Sequence, residues 1–152
     1  MSDSACLYDA NIWVALTFAA HPHHAQAVAH FATRTPESPA YFCRATQQSF
    51  LRLASSPAIL EAYGATGLTN ADALRVLIAW TALPQVRYVE EPAGLELRWH
   101  ELAGVKTASP KIWMDAYLAA FAITQNIELV TLDQGFRNFE QHGLKLRLIP
   151  SP

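Results

Sequence analysis

Two short apolar runs, "ACLYD" near the start of the chain and "IELVTLD" near its end, each close on an aspartate and lead into a helix-forming segment. Apolar runs of this length fit strands buried on both faces. Such strands need helices on either side, so the chain is committed to an α/β arrangement around a mainly parallel sheet. The alternation continues between them: "AYFCR", "VRYVEEP" and "LKLRLIP" read as three further strands. Helical stretches separate them. "HPHHAQAVAHFATRT" starts a helix near Pro22, and "TQQSFLRLAS" continues as another. "TNADALRVLIAWTAL" is capped by Thr69 with Asp72 three residues on, and "AGLELRWHELAG" ends near Gly104. Asn11 is expected to open the first helix, and "SSPAILEAYGATG" to be a Pro- and Gly-punctuated connection. Ser109-Pro110 is expected to start the next helix, and "QGFRNFEQHG" to form a short one closed by Gly143.

Composition narrows the class. The chain of 152 residues, 51% hydrophobic and 16% charged, is long and apolar enough for one domain spanning 1–152 with a substantial core. A net charge of −2 gives no bulk positive field to draw in nucleic acid, leaving that task to local patches. Cys6 and Cys43 sit among apolar neighbours. Without a cleavable signal peptide they read as buried free thiols in a cytoplasmic protein. No apolar run approaches the about 18 residues needed to cross a bilayer, so no membrane association is expected.

Within "KIWMDAYLAAFAI" the stretch 112–123 holds one charged residue, Asp115. A buried carboxylate without a partner costs several kcal/mol, so its presence asks for a cation. Asp115 shares a helix face with Ile112 and Ala119, a face expected to pack on the sheet. It also lies near the helix N-terminus, where the macrodipole favours an anion. Asp9 and Asp133 end strand-like runs, and in open parallel sheets ligands gather beyond the strand C-termini. Three aspartates meeting there suit a hard cation, Mg²⁺ or Mn²⁺, and metal-assisted phosphoryl chemistry. The plainer alternatives are turn or cap roles for Asp9 and Asp133 and a buried ion pair between Asp115 and Arg52. His21, His23 and His24 read as a helix-entry loop rather than a transition-metal site. Trp113, Tyr117 and Phe121, four residues apart, read as core or dimer packing rather than base stacking.

On "YDANIWVAL", "HPHH", "CRATQQSFLRL", "WMDAYLAAFA" and "LVTLDQGF", in that order over nearly the whole chain, the sequence resembles the PIN-domain family, and within it VapC-type toxins. The resemblance implies a three-layer α/β/α fold and a Mg²⁺- or Mn²⁺-dependent endoribonuclease. It also implies a homodimer and neutralisation by a VapB-type antitoxin. It maps the acidic site onto Asp9, Asp115 and Asp133, with Asn11 and Thr131 as accompanying polar residues. Where many relatives carry a Glu, this chain offers Gln47 and Gln48, so a single cation is expected rather than two. Arg34, Arg44, Arg98 and Arg137 read as surface charge, with Lys106 and Lys111 favoured for RNA phosphates. Helices in the span 69–104 are candidates for the partner-binding surfaces. Two other readings remain open. One is a phosphohydrolase with Asp9 as nucleophile, which Asn11 at the second position counts against. The other is a catalytically impaired module of the same fold that binds RNA or antitoxin.

Overall fold

The computed structural model describes residues 4–152. Along the chain these form β1 (Cys6–Tyr8), α1 (Ala10–Thr17), α2 (His24–Phe31), β2 (Ala40–Phe42), α3 (Arg44–Ala54), α4 (Pro57–Ala62) and α5 (Asn70–Thr81). Then follow β3 (Val86–Tyr88), α6 (Leu95–Ala103), α7 (Ile112–Gln125), β4 (Glu128–Thr131), a 3₁₀ helix (Gln134–His142) and β5 (Lys145–Leu148).

The strands form a single parallel sheet in the order β3-β2-β1-β4-β5. The chain builds outward from β1 through β2 to β3, then returns to lay β4 on the other side of β1. Where the direction of building reverses, the loops leave the sheet on opposite sides and open a crevice beyond the strand C-termini. Tyr8 pairs with Val130, and the Asp9 N–H donates to the Val130 carbonyl at 3.0 Å. Asp9 is thereby fixed at the mouth of that crevice.

Strand alternation divides the core into two layers of packing. Cys6, Tyr8 and Val130 face one side, against α1, α3 and α5. Leu7 and Leu129 face the other, against α6, α7 and the 3₁₀ helix. Helices on both faces make the architecture the expected α/β/α sandwich. Both cysteines are buried free thiols.

Thr69 and Asp72 form the expected capping box at α5: the Thr69 hydroxyl accepts from the Asp72 N–H at 3.1 Å, and the Asp72 carboxylate accepts from the Thr69 N–H at 2.8 Å. Other boundaries differ from the sequence reading. Asp9, not Asn11, caps α1, accepting from the Ala10 N–H. The histidine segment forms a turn, and α2 begins only at His24, whose Nδ1 lies 2.7 Å from the Ala15 carbonyl oxygen. The supposed connection at 55–67 contains α4, with Pro57 at its first position, where a missing N–H costs nothing. Helix α7 begins at Ile112 rather than at Pro110; the Ser109 hydroxyl pairs with Thr107 instead of capping it. Arg34 is not surface charge. It is buried, with Nη1 donating to the Ser4 carbonyl at 2.8 Å and Nε to the Thr33 hydroxyl at 3.2 Å.

Candidate active site

The ends of β1 and β4 share a hydrogen-bond network. The Thr131 hydroxyl donates to Asp9 Oδ2 at 2.7 Å and accepts from the Asp133 N–H at 3.0 Å. Asn11 Nδ2 donates to Asp9 Oδ2 at 3.3 Å and to Thr131 Oγ1 at 3.2 Å, while its Oδ1 accepts from the Leu132 N–H at 3.2 Å. Asp9 Oδ1 accepts from the Ala10 N–H at 2.7 Å. Asp133 Oδ1 accepts from the Gly135 N–H at 2.8 Å, which starts the 3₁₀ helix. Asn11 and Thr131 thus link one aspartate to the backbone of the other, and their side chains lock the two strand ends together.

Asp115 projects from the first turn of α7 into the same electrostatic neighbourhood. Burial pushes the Asp9 carboxyl up to about 6; Thr131 and Ala10 oppose this by hydrogen bonding, while Asp115 and Asp133 add to it by repulsion. Asp115 is also raised, by desolvation first and then by Asp133, with Lys111 pulling the other way. Asp133 makes both Asp9 and Asp115 harder to ionise, Asp115 does the same to Asp9, and no ion pair joins any of them among the described residues. The expected burial of Asp115 is only partial, because Trp113 and Met114 beside it are exposed at 51% and 63%. Arg52 is exposed and makes no ion pair with it, which removes the salt-bridge alternative.

Two clefts flank this region. One, of about 200 Å³, is lined by Asp9, Ser49, Trp99, Trp113 and Tyr117 among others. The second, of about 400 Å³, holds Asp115 and Lys111 with Ser109, Asn138 and His142. Lys106 is exposed and lines neither.

The model of the PIN domain matches residues 6–141 of this sequence. The chain belongs to the PIN-domain family. Ribonuclease VapC41 of Mycobacterium tuberculosis (strain H37Rv) is 44% identical over 146 residues, covering 94% of this chain and 97% of that protein. Ribonuclease VapC38 of the same strain is 31% identical over 140 residues, covering 91% and 92%. Among solved structures, the M. tuberculosis VapC20 toxin, described as sarcin-ricin loop cleaving, superposes with a TM-score of 0.64 at 16% identity, covering 97% of this chain and 100% of that one. VapBC-1 from nontypeable Haemophilus influenzae gives 0.64 at 15% identity, covering 95% and 97%. The VapC-type PIN fold is therefore shared with proteins whose sequences have diverged widely.

The resemblance put Gln47 and Gln48 of α3 where many relatives carry a Glu. Gln47 does not line the cleft holding Asp9; its Oε1 accepts from Arg44 Nη1 at 2.5 Å, and the Arg44 guanidinium lies 4.7 Å from the centre of the Tyr88 ring. Gln48 is exposed. Ala45, Thr46 and Ser49 face Asp9 instead. Thr46 is spent locally, its hydroxyl accepting from the Cys43 N–H at 2.9 Å.

The donor set suits a hard cation. It consists of carboxylate oxygens that repel one another, and a divalent ion is what would relieve that repulsion. Among the described residues no group of three or more His, Cys, Asp or Glu side chains is arranged to hold a metal ion.

Sequence reasoning missed Ser49 and Trp99 as neighbours of Asp9. It also read Trp113, Tyr117 and Phe121 as core or dimer packing. Only Phe121 is fully buried; Tyr117 is half-buried and Trp113 largely outside. The available signal was the spacing of Trp113 and Tyr117 at the very start of α7, on either side of Asp115.

Proposed function

We propose that this chain is the toxin of a toxin–antitoxin pair, a Mg²⁺- or Mn²⁺-dependent endoribonuclease cleaving single-stranded or loop RNA in the cytoplasm. One observation carries this reading. Asp9 and Asp133 follow the ends of the adjacent strands β1 and β4, and the charges of Asp115 and Asp133 make the buried Asp9 carboxyl harder to ionise. The relatives named as ribonucleases support it.

In this reading Asp9, Asp115 and Asp133 hold one ion. When bound, it supplies activation of a water and neutralisation of charge on the scissile phosphodiester. Thr131 and Asn11 orient Asp9 through hydrogen bonds to Oδ2, and the Thr131 bond favours its ionised form. Lys111, beside Asp115 in the wider cleft, is placed to meet an RNA phosphate. A phosphohydrolase would need a second acid at position 11. Asn11 is instead committed to Thr131 and the Leu132 N–H.

A VapB-type antitoxin is the natural partner and a homodimer the expected form. Leu74 and Ile78 on α5, and Leu97 on α6, are exposed at 48%, 57% and 70%, which gives the span 69–104 apolar surface to cover. No helix among the described residues is long and apolar enough to cross a membrane. The deciding experiment is cleavage of RNA by the purified chain with Mg²⁺, with Mn²⁺ and with EDTA, alongside Asp115→Asn. Cleavage should require the ion and vanish in a variant that keeps its fold. Undiminished cleavage in EDTA would overturn the reading. A strict monomer in sedimentation at high micromolar concentration would remove the dimer.

A further inference from the structure

Aromatic residues on two helices wall the narrower cleft. Trp113 and Tyr117 come from α7 and Trp99 from α6. The Trp99 ring stands edge-on to both of the others, with centroids 6.5 Å from Trp113 at 76° and 5.8 Å from Tyr117 at 86°. Two of the walls are tethered: Trp99 Nε1 donates to the Trp113 carbonyl at 2.8 Å, and the Tyr117 hydroxyl donates to Glu91 at 2.8 Å. The Trp113 side chain makes no hydrogen bond among the described residues and is half exposed.

We propose that this cleft is a slot for one unstacked base of the RNA substrate, positioned beside the bond to be cut. The proposal rests on the ribonuclease reading above. Four observations support a base as the occupant. Asp9 is part of the cleft wall, so anything seated there lies against the candidate cation site. Three of the lining residues carry aromatic rings, on whose faces any base can stack. At about 200 Å³ the space falls short of the 300–1,000 Å³ typical of drug-sized ligands, and suits one flat ring system. Ser49, also in the wall, has a hydroxyl with no hydrogen-bond partner among the described residues, available to a base edge. An apolar protein side chain would have no use for that hydroxyl or for the adjoining carboxylate. Single-stranded RNA offers bases free to enter, whereas a duplex does not.

The test uses the full chain with Mg²⁺ or Mn²⁺ and a randomised pool of short single-stranded oligoribonucleotides. Sequencing the products identifies a cleaved substrate, in which each nucleotide is then made abasic in turn. For native protein, one abasic position next to the cut should raise KM about 5- to 150-fold, the range for loss of one base–aromatic stack, with little change in kcat. Trp113→Ala should raise KM by a similar factor on the intact substrate and lose its response to that abasic position; Trp113→Phe should recover most of the affinity. Val28→Ala, at an exposed site on α2, should match native protein throughout. Circular dichroism melts establish that each variant folds. Cleavage by native protein with a flat abasic scan overturns the slot alone. So does a Trp113→Ala protein with native KM that has lost affinity for its antitoxin, which would assign the cleft to protein recognition. Failure of native protein to cleave any member of the pool overturns the ribonuclease reading and the slot with it.

Discussion

Two groups of aromatic rings in this molecule have similar composition and opposite settings. Around Trp13, the rings of Tyr8, Phe31, Phe42 and Trp80 close over one another, with Trp13 stacked on Phe42 at 3.9 Å and 10°. Trp13, Tyr8 and Phe42 are completely buried. Around Trp113, the rings stand open beside a carboxylate. The first group lies between the sheet and its helices, where every ring face has an apolar partner. The second lines a cleft beside Asp9, the residue that follows β1, and Trp113 in it is half exposed. Burial, rather than residue type, separates the cluster that stabilises the fold from the one left partly open.

Truncation should separate the two most sharply. Trp13→Ala empties a large volume in a packed core and is expected to cost about 3–5 kcal/mol, enough to threaten folding. Trp13→Phe keeps a ring and removes an indole N–H that has no hydrogen-bond partner among the described residues, so it should cost less. Trp113→Ala should cost under about 1 kcal/mol in stability. Urea unfolding measures all three, and equal losses at positions 13 and 113 would break the contrast.

Thr131 belongs to both worlds, being fully buried yet part of the site. Thr131→Val keeps the shape but leaves the Asp133 N–H and Asn11 Nδ2 each without one acceptor, at an expected cost of about 1–3 kcal/mol. It also removes the hydrogen bond that favours ionised Asp9, so the Asp9 carboxyl should rise further, seen by NMR titration of its carboxyl carbon.

A smaller effect concerns pH in the absence of metal. The Asp9 carboxyl, raised to about 6, binds its proton more tightly in the folded than in the unfolded chain. Its contribution to stability is therefore fully present below its ordinary value of 3.8 and is lost as pH rises through about 6. His30, whose Nδ1 lies 2.6 Å from the Tyr8 hydroxyl, acts oppositely: burial lowers it to about 4, and its contribution is present above 6.5 and lost as pH falls. Comparing native protein with Asp9→Asn in EDTA cancels the histidine. The stability of Asp9→Asn relative to native should be most favourable near pH 8 and should decline towards pH 5. A difference independent of pH would mean that Asp9 is not held in a desolvated site.

Much of this was legible in the sequence, for physical reasons. Strands of a doubly covered parallel sheet are continuous apolar runs, so "ACLYD" and "IELVTLD" stood out, and an aspartate after each marked the crevice. Capping chemistry at Thr69 and Asp72 is local and was read correctly. Strand order was not legible, because nothing along the chain says that β4 returns to β1. Helix α4 was hidden by Pro57, which breaks a helix from within but starts one equally well. Arg34 looked like surface charge because two of its partners, Ser4 and Cys6, lie far back along the chain, before and at the start of β1. The meeting of Ser49, Trp99 and Trp113 depends on three separate helices and leaves no periodic trace.

The account stands or falls on the three aspartates acting as one cation site. Calorimetric titration of Mn²⁺ into metal-free native protein and Asp115→Asn tests this most directly. Native protein should bind one ion, and the folded variant should bind it roughly tenfold or more weakly, because an amide replaces a carboxylate at a hard-cation site. Equal affinity in a folded Asp115→Asn protein would contradict the account.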